Sequence, residues 1–129
     1  MQIIEISDLR TKISDKDVKR NVENILKILK EIQQAISATE NSSKILSTRR
    51  VVSYWNDETI SLLNNYIKLL NNSSDKASDT KGNIEAVLRD LYLVYKKELG
   101  RITETNTLEI DAAITVMRNE IDQVLNRRT

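Results

Sequence analysis

The sequence predicts an all-α protein, an elongated antiparallel bundle of three to four helices with a kinked central helix. Three observations carry this. Proline is absent and only 2 glycines occur in 129 residues, so the usual punctuators of strands and loops are missing. Charged residues make up 30% of the chain while the formal net charge is only +1, a balance that suits solvated helix faces and excludes the cationic surplus of a nucleic-acid binder. Large apolar residues recur at alternating steps of three and four in several separate segments, the period of helices with one face covered.

Taken in order, residues 1–13 form a short N-terminal helix or arm, because Ile6, Leu9 and Ile13 share a helical face. A break follows near Ile13-Ser14, and a single bundle domain is expected over residues 14–126. Ser14 is the expected N-cap of the next helix, with Asp15 and Asp17 in its first turn where the helix dipole favours acids. Val18, Val22, Ile25, Leu29, Ile32 and Ile36 then form an unbroken heptad seam. Leu26, Ile28 and Ala35 widen it beyond the stripe of a two-stranded coil. Glu23 lies four residues before Lys27, a favourable pair on the wet face.

Residues 37–43 are the first polar connection, short enough to send the next helix back antiparallel. That helix, from Ile45 to Leu70, holds the only tryptophan and is read as the central one. Val52, Trp55, Leu62, Tyr66 and Leu69 make one stripe along it, and Ile60, Leu63, Ile67 and Leu70 a second. Asn56-Asp57-Glu58 has the composition of a helix start, so a kink or one-residue break is expected there. Residues 71–74 connect to a third helix through a polar lead-in over 75–82. Its face is Ile84, Leu88, Leu91, Tyr95 and Leu99, with Glu85 and Arg89 paired four apart. Gly100 falls near its end and residues 103–107 read as a third connection. A last helix carries Ile110, Ile114, Met117, Ile121 and Val124, and residues 127–129 fray.

Composition removes much chemistry. The chain has no cysteine and no histidine, which excludes disulfides, thiolate metal sites, Ser–His and Cys–His nucleophiles and the Glu-x-x-His di-iron signature. Asp75 with Asp79, Asp57 with Glu58, and Glu109 with Asp111 are acids at helix starts before they are metal ligands or general bases. No cofactor, no metal and no catalytic residue is expected. No run of ~18 apolar residues is present, so no membrane span is expected. The candidate binding surface is Arg49, Arg50, Tyr54 and Trp55, an aromatic platform with a basic lip suited to a partner or an anion. The competing reading is that the rings cap the end of the core while the arginines lie over them.

The order of segments is specific in a further way. An amphipathic helix from Ile13 to Ile36 is followed by Tyr54-Trp55, then Thr59-Ile60-Ser61-Leu62-Leu63 and Tyr66. Asn83-Ile84, the Tyr95/Leu99 face and Glu109-Ile110-Asp111-Ala112-Ala113-Ile114-Thr115-Val116-Met117 come after. From about Ser14 to Leu125 the chain resembles the bacterial XpaC-like family, the 5-bromo-4-chloroindolyl phosphate hydrolysis or phosphatase-associated proteins. Trp55 stands where that family usually has tyrosine, and Asn56-Asp57 where it has Leu-Pro. The resemblance implies a TelA-type toxic-anion-resistance protein as partner. Family members often carry an apolar anchor upstream; this sequence shows none, so the expectation is a cytoplasmic protein, or a membrane-tethered one if an anchor has been removed. The functional expectation is a non-enzymatic helical interaction or scaffold module in an envelope- or stress-related system, with a TelA-type partner or a homodimer. The alternative is a hydrolase of phosphate esters such as haloindolyl phosphate, or an accessory to one.

Overall fold

The computed structural model describes residues 2–126. The tail expected over 127–129 lies outside the described residues. Four helices follow one another, α1 (Gln2–Arg10), α2 (Lys16–Ala38), α3 (Ser42–Lys68) and α4 (Asp75–Asn126), and no strand occurs among the described residues. The chain is an all-α helical bundle. α1 and α4 each pack on both sides of a cleft between α2 and α3, which scarcely approach one another.

α2 starts one residue later than expected. Its N-cap is Asp15, not Ser14, and the Asp15 carboxylate accepts from the N–H groups of Asp17 and Val18 at 2.9 and 3.1 Å. A charged acceptor satisfies two orphan donors and also meets the positive end of the helix dipole. The heptad seam is buried from Val18 to Ile32: Val18, Val22, Ile25, Leu29 and Ile32 are all within 2% of full burial, with Leu26 and Ile28 beside them, while Ile36 at its end is partly covered. Glu23 does not lean on Lys27 but reaches back to Arg10 of α1, 3.7 Å away.

The deepest burial therefore belongs to α2, packed along α4, rather than to α3. In α3 only Leu63 and Tyr66 are buried among the large apolar residues, while Val52, Trp55, Ile60, Leu62 and Ile67 are partly covered. The reason is the short α1. With nine residues it fills only one stretch of the space that a full-length helix would fill between α2 and α3. Nor does α3 break at Asn56; it runs from Ser42 to Lys68. The residues that resemble a restart are used otherwise. The Thr59 hydroxyl lies 2.7 Å from the carbonyl of Trp55, four residues back, and Asn56 turns inward.

The third connection is also absent. α4 continues through residues 103–107 as one helix of 52 residues. The threonines that suggest a loop there donate back into the helix. Thr105 Oγ1 bonds the Arg101 carbonyl and Thr107 Oγ1 the Thr103 carbonyl, both at 3.1 Å. Asn106 donates through Nδ2 to the Ala35 carbonyl at 3.0 Å, and Glu109 accepts from Thr39 Oγ1 at 2.9 Å and from the Glu40 N–H at 3.2 Å. These contacts tie α4 to the C-terminal end of α2.

Both glycines sit inside α4, and a Cβ at either would meet nothing within 4 Å. Neither has positive φ. Their backbone freedom is thus a cost with no packing return, about 0.5–1 kcal/mol each relative to alanine. Gly82→Ala and Gly100→Ala are each expected to raise the urea midpoint at unchanged slope. An unchanged or lowered midpoint would show that these positions serve a contact or a bend that the fold requires.

Candidate functional site

A chain of polar side chains crosses the body of the bundle. Tyr95 of α4 is 1% exposed, and its hydroxyl donates to Asn56 Oδ1 at 2.7 Å. Asn56 Nδ2 donates to Gln2 Oε1 at 3.1 Å, and Gln2 Nε2 donates to Asp57 Oδ1 at 2.7 Å. Thr59 Oγ1 lies 3.0 Å from the Tyr95 oxygen. Each hydroxyl has one proton. With the tyrosine proton on Asn56, the threonine proton is shared between Tyr95 and the Trp55 carbonyl. The chain thus joins α1, α3 and α4, from the core to the exposed carboxylate of Asp57. Burial pushes the Tyr95 phenol up to about 12, against a lowering by the Thr59 hydrogen bond and with a further rise from the charge of Asp57. A phenol held neutral in this way is a structural donor, not a proton-transfer group poised near neutral pH.

Beside this network lies a cleft of about 540 Å³. Its floor is apolar, with Leu29, Ile32 and Ile36 of α2 facing Val52 of α3, and Arg49 and Gln33 contribute polar groups. It exists because α1 is too short to separate α2 from α3 along their whole length.

The four residues of the expected aromatic platform are not brought to one face. Arg49 lines the cleft. Arg50 lies about 40° from Tyr54 round the helix, since residues four apart nearly superpose, and Tyr54 is 57% exposed. Trp55 is partly covered and packs against the core. The two rings meet edge to face at 5.0 Å between centroids and 83° between planes, so Tyr54 shelters the indole. Adjacency in sequence suggests one surface; at 100° per residue it is divided among three directions.

The acids have local tasks where partners are found. Asp57 holds Gln2, Glu109 holds the connection from α2 to α3, and Glu85 pairs with Arg89 at 2.9 Å. Among the described residues no three acids gather as a possible metal site. No helix among them is long and apolar enough to cross a membrane.

The remaining feature is the end of α4. Beyond Glu109 every described residue is exposed, including Ile110 (60%), Ile114 (43%), Met117 (60%), Ile121 (50%) and Val124 (52%). These are the residues of the expected last stripe. The stripe is there, on a helix that leaves the bundle instead of folding back along it. Its seventeen described residues rise about 25 Å. No protein-family model, curated protein or solved structure matches the chain.

The Tyr95 phenol makes stability depend on alkaline pH. In the unfolded chain it loses its proton near pH ~10, while the folded chain keeps it to about 12. Over that interval the unfolded state binds fewer protons, so this contribution to stability is complete below about pH 10 and is lost as the pH rises towards 12. The loss is roughly 2–3 kcal/mol at most. Tyr66, also raised by burial and then by Asp15 and Glu85, adds in the same direction. Urea unfolding at about pH 9 and pH 11 is expected to show a steeper loss in the wild type than in Tyr95→Phe. Parallel losses would mean that the phenol is not the source.

Proposed function

We propose that the protein is a non-enzymatic helical interaction module, in which the bundle fixes and orients the extension over residues 110–126 so that its apolar seam docks against another helix. One observation carries this reading. Ile110, Ile114, Met117, Ile121 and Val124 step by four and three along one face and are each 43–60% exposed. Single exposed apolar residues are ordinary on a protein surface, but a contiguous stripe at heptad spacing is the pattern of a helix lacking its partner. Directly opposite the seam stands Asn119, with Thr115, Asp122 and Gln123 near it and one exposed apolar residue, Val116, on the same side. That arrangement favours docking on one side over general stickiness. The XpaC-like resemblance points the same way, towards a bacterial accessory protein that works within a larger assembly with a TelA-type neighbour. It brings no catalytic residue with it.

The reading is tested in cells that produce the protein. A photoreactive side chain in place of Met117 is expected to give discrete adducts on illumination, and the same group in place of Asn119 is not. Adding Ile114→Asp and Ile121→Asp is expected to abolish the Met117 adducts while the far-ultraviolet signal of the bundle survives. Equal adduct yields from the two positions would overturn the proposal. Enzymatic function is tested separately. Highly purified protein is expected to hydrolyse a haloindolyl phosphate no faster than buffer, with or without divalent metal. Turnover that scales with protein mass through successive purification steps would reverse that conclusion.

A further inference from the structure

We infer that the occupant of the seam is a second copy of this chain, lying antiparallel, with Ile110 of one copy opposite Ile121 of the other and Ile114 opposite Met117. The inference rests on the docking reading above and names its partner.

The exposed area matches what a pair of copies needs. The five seam residues and Leu125 at their edge (57% exposed) leave on the order of 600 Å² of apolar surface in water on each copy. That is at the upper end of what a monomer ordinarily exposes in one patch. Two such faces joined bury about 1,200 Å², the lower bound of a stable specific interface. A symmetric pair covers the same patch on both copies, so neither is left with an open seam.

Charge selects direction and register. Asp111 and Arg118 flank the seam on one side, with Leu125 following; Ala113 and Glu120 flank it on the other. In antiparallel coils the flanks of one kind meet their own kind, and in parallel coils they meet the other. With Ile110 opposite Ile121, each Asp111 falls beside the partner copy's residue 118, an arginine, and symmetry makes this pair twice. Glu120 then falls beside Ala113. Sliding the antiparallel pair by one heptad in one direction sets Arg118 against Arg118 and Glu120 against Glu120, and in the other sets Asp111 against Asp111. The parallel arrangement sets Arg118 beside Ala113 and Glu120 beside Leu125. Only the register with Ile110 opposite Ile121 pairs Asp111 with Arg118 and sets no like charges together.

The bundle leaves the seam accessible. Leu88, Tyr95 and Ile102 mark the line of α4 that faces the bundle, and all are buried. At 100° per residue the centre of the seam lies about 60° round the helix from that line, and α2 ends at Ala38, near Asn106 and short of Ile110. A second helix can therefore lie along residues 107–124 beside the bundle, without displacing α2.

The absence of native cysteine makes the test clean. Sedimentation of the full chain is expected to show a reversible dimer at micromolar concentration. An equal mixture of Ile110→Cys and Ile121→Cys chains, mildly oxidised, is expected to cross-link mainly as the mixed pair. Ile110→Cys alone is expected to cross-link poorly, because the two cysteines would be about 16 Å apart along the axis, beyond disulfide reach. Asp111→Arg alone and Arg118→Asp alone are each expected to weaken dimerisation roughly tenfold, and the two together to restore it. Efficient cross-linking of Ile110→Cys with itself would overturn the antiparallel order in favour of a parallel pair. A full chain that stays monomeric while Met117 still gives adducts with a different protein would overturn the second copy and leave the docking reading standing. No self-association and no position-dependent adducts would remove both.

Discussion

Length mismatch between neighbouring helices is the constraint on which the rest depends. α4 has 52 residues and rises about 78 Å, while α2 with 23 and α3 with 27 rise about 35 and 40 Å. Joined by a connection of three residues, α2 and α3 lie side by side, and side by side neither covers α4 along its length. Some of it must stand in solvent, and the remaining question is which part and with what surface. The first 35 residues of α4 carry their large apolar residues on the line that meets α2 and α3, with Leu88, Tyr95 and Ile102 essentially closed off from water. The last 17 carry an equally regular apolar line, and it is exposed from Ile110 to Val124.

Where the bundle stops is determined by polar contacts. Asn106 and Glu109 bond the last turn of α2 and the connection after it. Carbonyls at a helix C-terminus have no intrahelical partner and need donors; Asn106 donates to the Ala35 carbonyl. Glu109 meanwhile orders a connection of only three residues, 39–41. At the other side of the bundle the Tyr95–Asn56–Gln2 chain fixes how α1 and α3 sit against α4. A buried network of this kind adds less to net stability than its count of bonds suggests, about 1 kcal/mol per bond, but it is costly to leave half made. That asymmetry pins register. A slip of α3 by one residue would carry Asn56 and Thr59 about 100° round the helix and leave the Tyr95 hydroxyl buried without an acceptor.

Much of the fold is legible in the sequence, and the reasons differ from element to element. The seam of α2 is readable because each of its residues from Val18 to Ile32 repeats at heptad spacing and each is buried. The two places where the expected break is absent, at Asn56 and over residues 103–107, share a cause. Asn, Thr, Asp and Glu cap helices and populate loops because their side chains compete for backbone groups. The same side chains can bond their own helix four residues back, as Thr59, Thr105 and Thr107 do, or reach another helix, as Asn56, Asn106 and Glu109 do. Composition alone cannot separate these outcomes, because the deciding partner is distant in sequence. Adjacency in sequence suggests the aromatic platform, and helix geometry divides it: Arg49 faces the cleft while Trp55 faces the core.

The extension shows what periodicity measures. The steps of four and three from Ile110 to Val124 are the same in kind as those from Val18 to Ile32. One set is buried within the chain and the other is exposed. Hydrophobic periodicity therefore reports that a face requires cover, and chain connectivity decides whether the cover is intramolecular. α2 is followed by a tight turn and two helices that can return to it. The extension is followed by nothing that returns within the described residues. Its polar flanks then become informative, because charges on a solvated helix face are under little constraint, whereas charges beside a covered seam must tolerate what lies opposite. Asp111 and Arg118 are complementary only across an antiparallel pair in one register. A patch of the same area with unordered flanks would be consistent with any apolar partner; the order of these two charges is what favours a second copy of the chain.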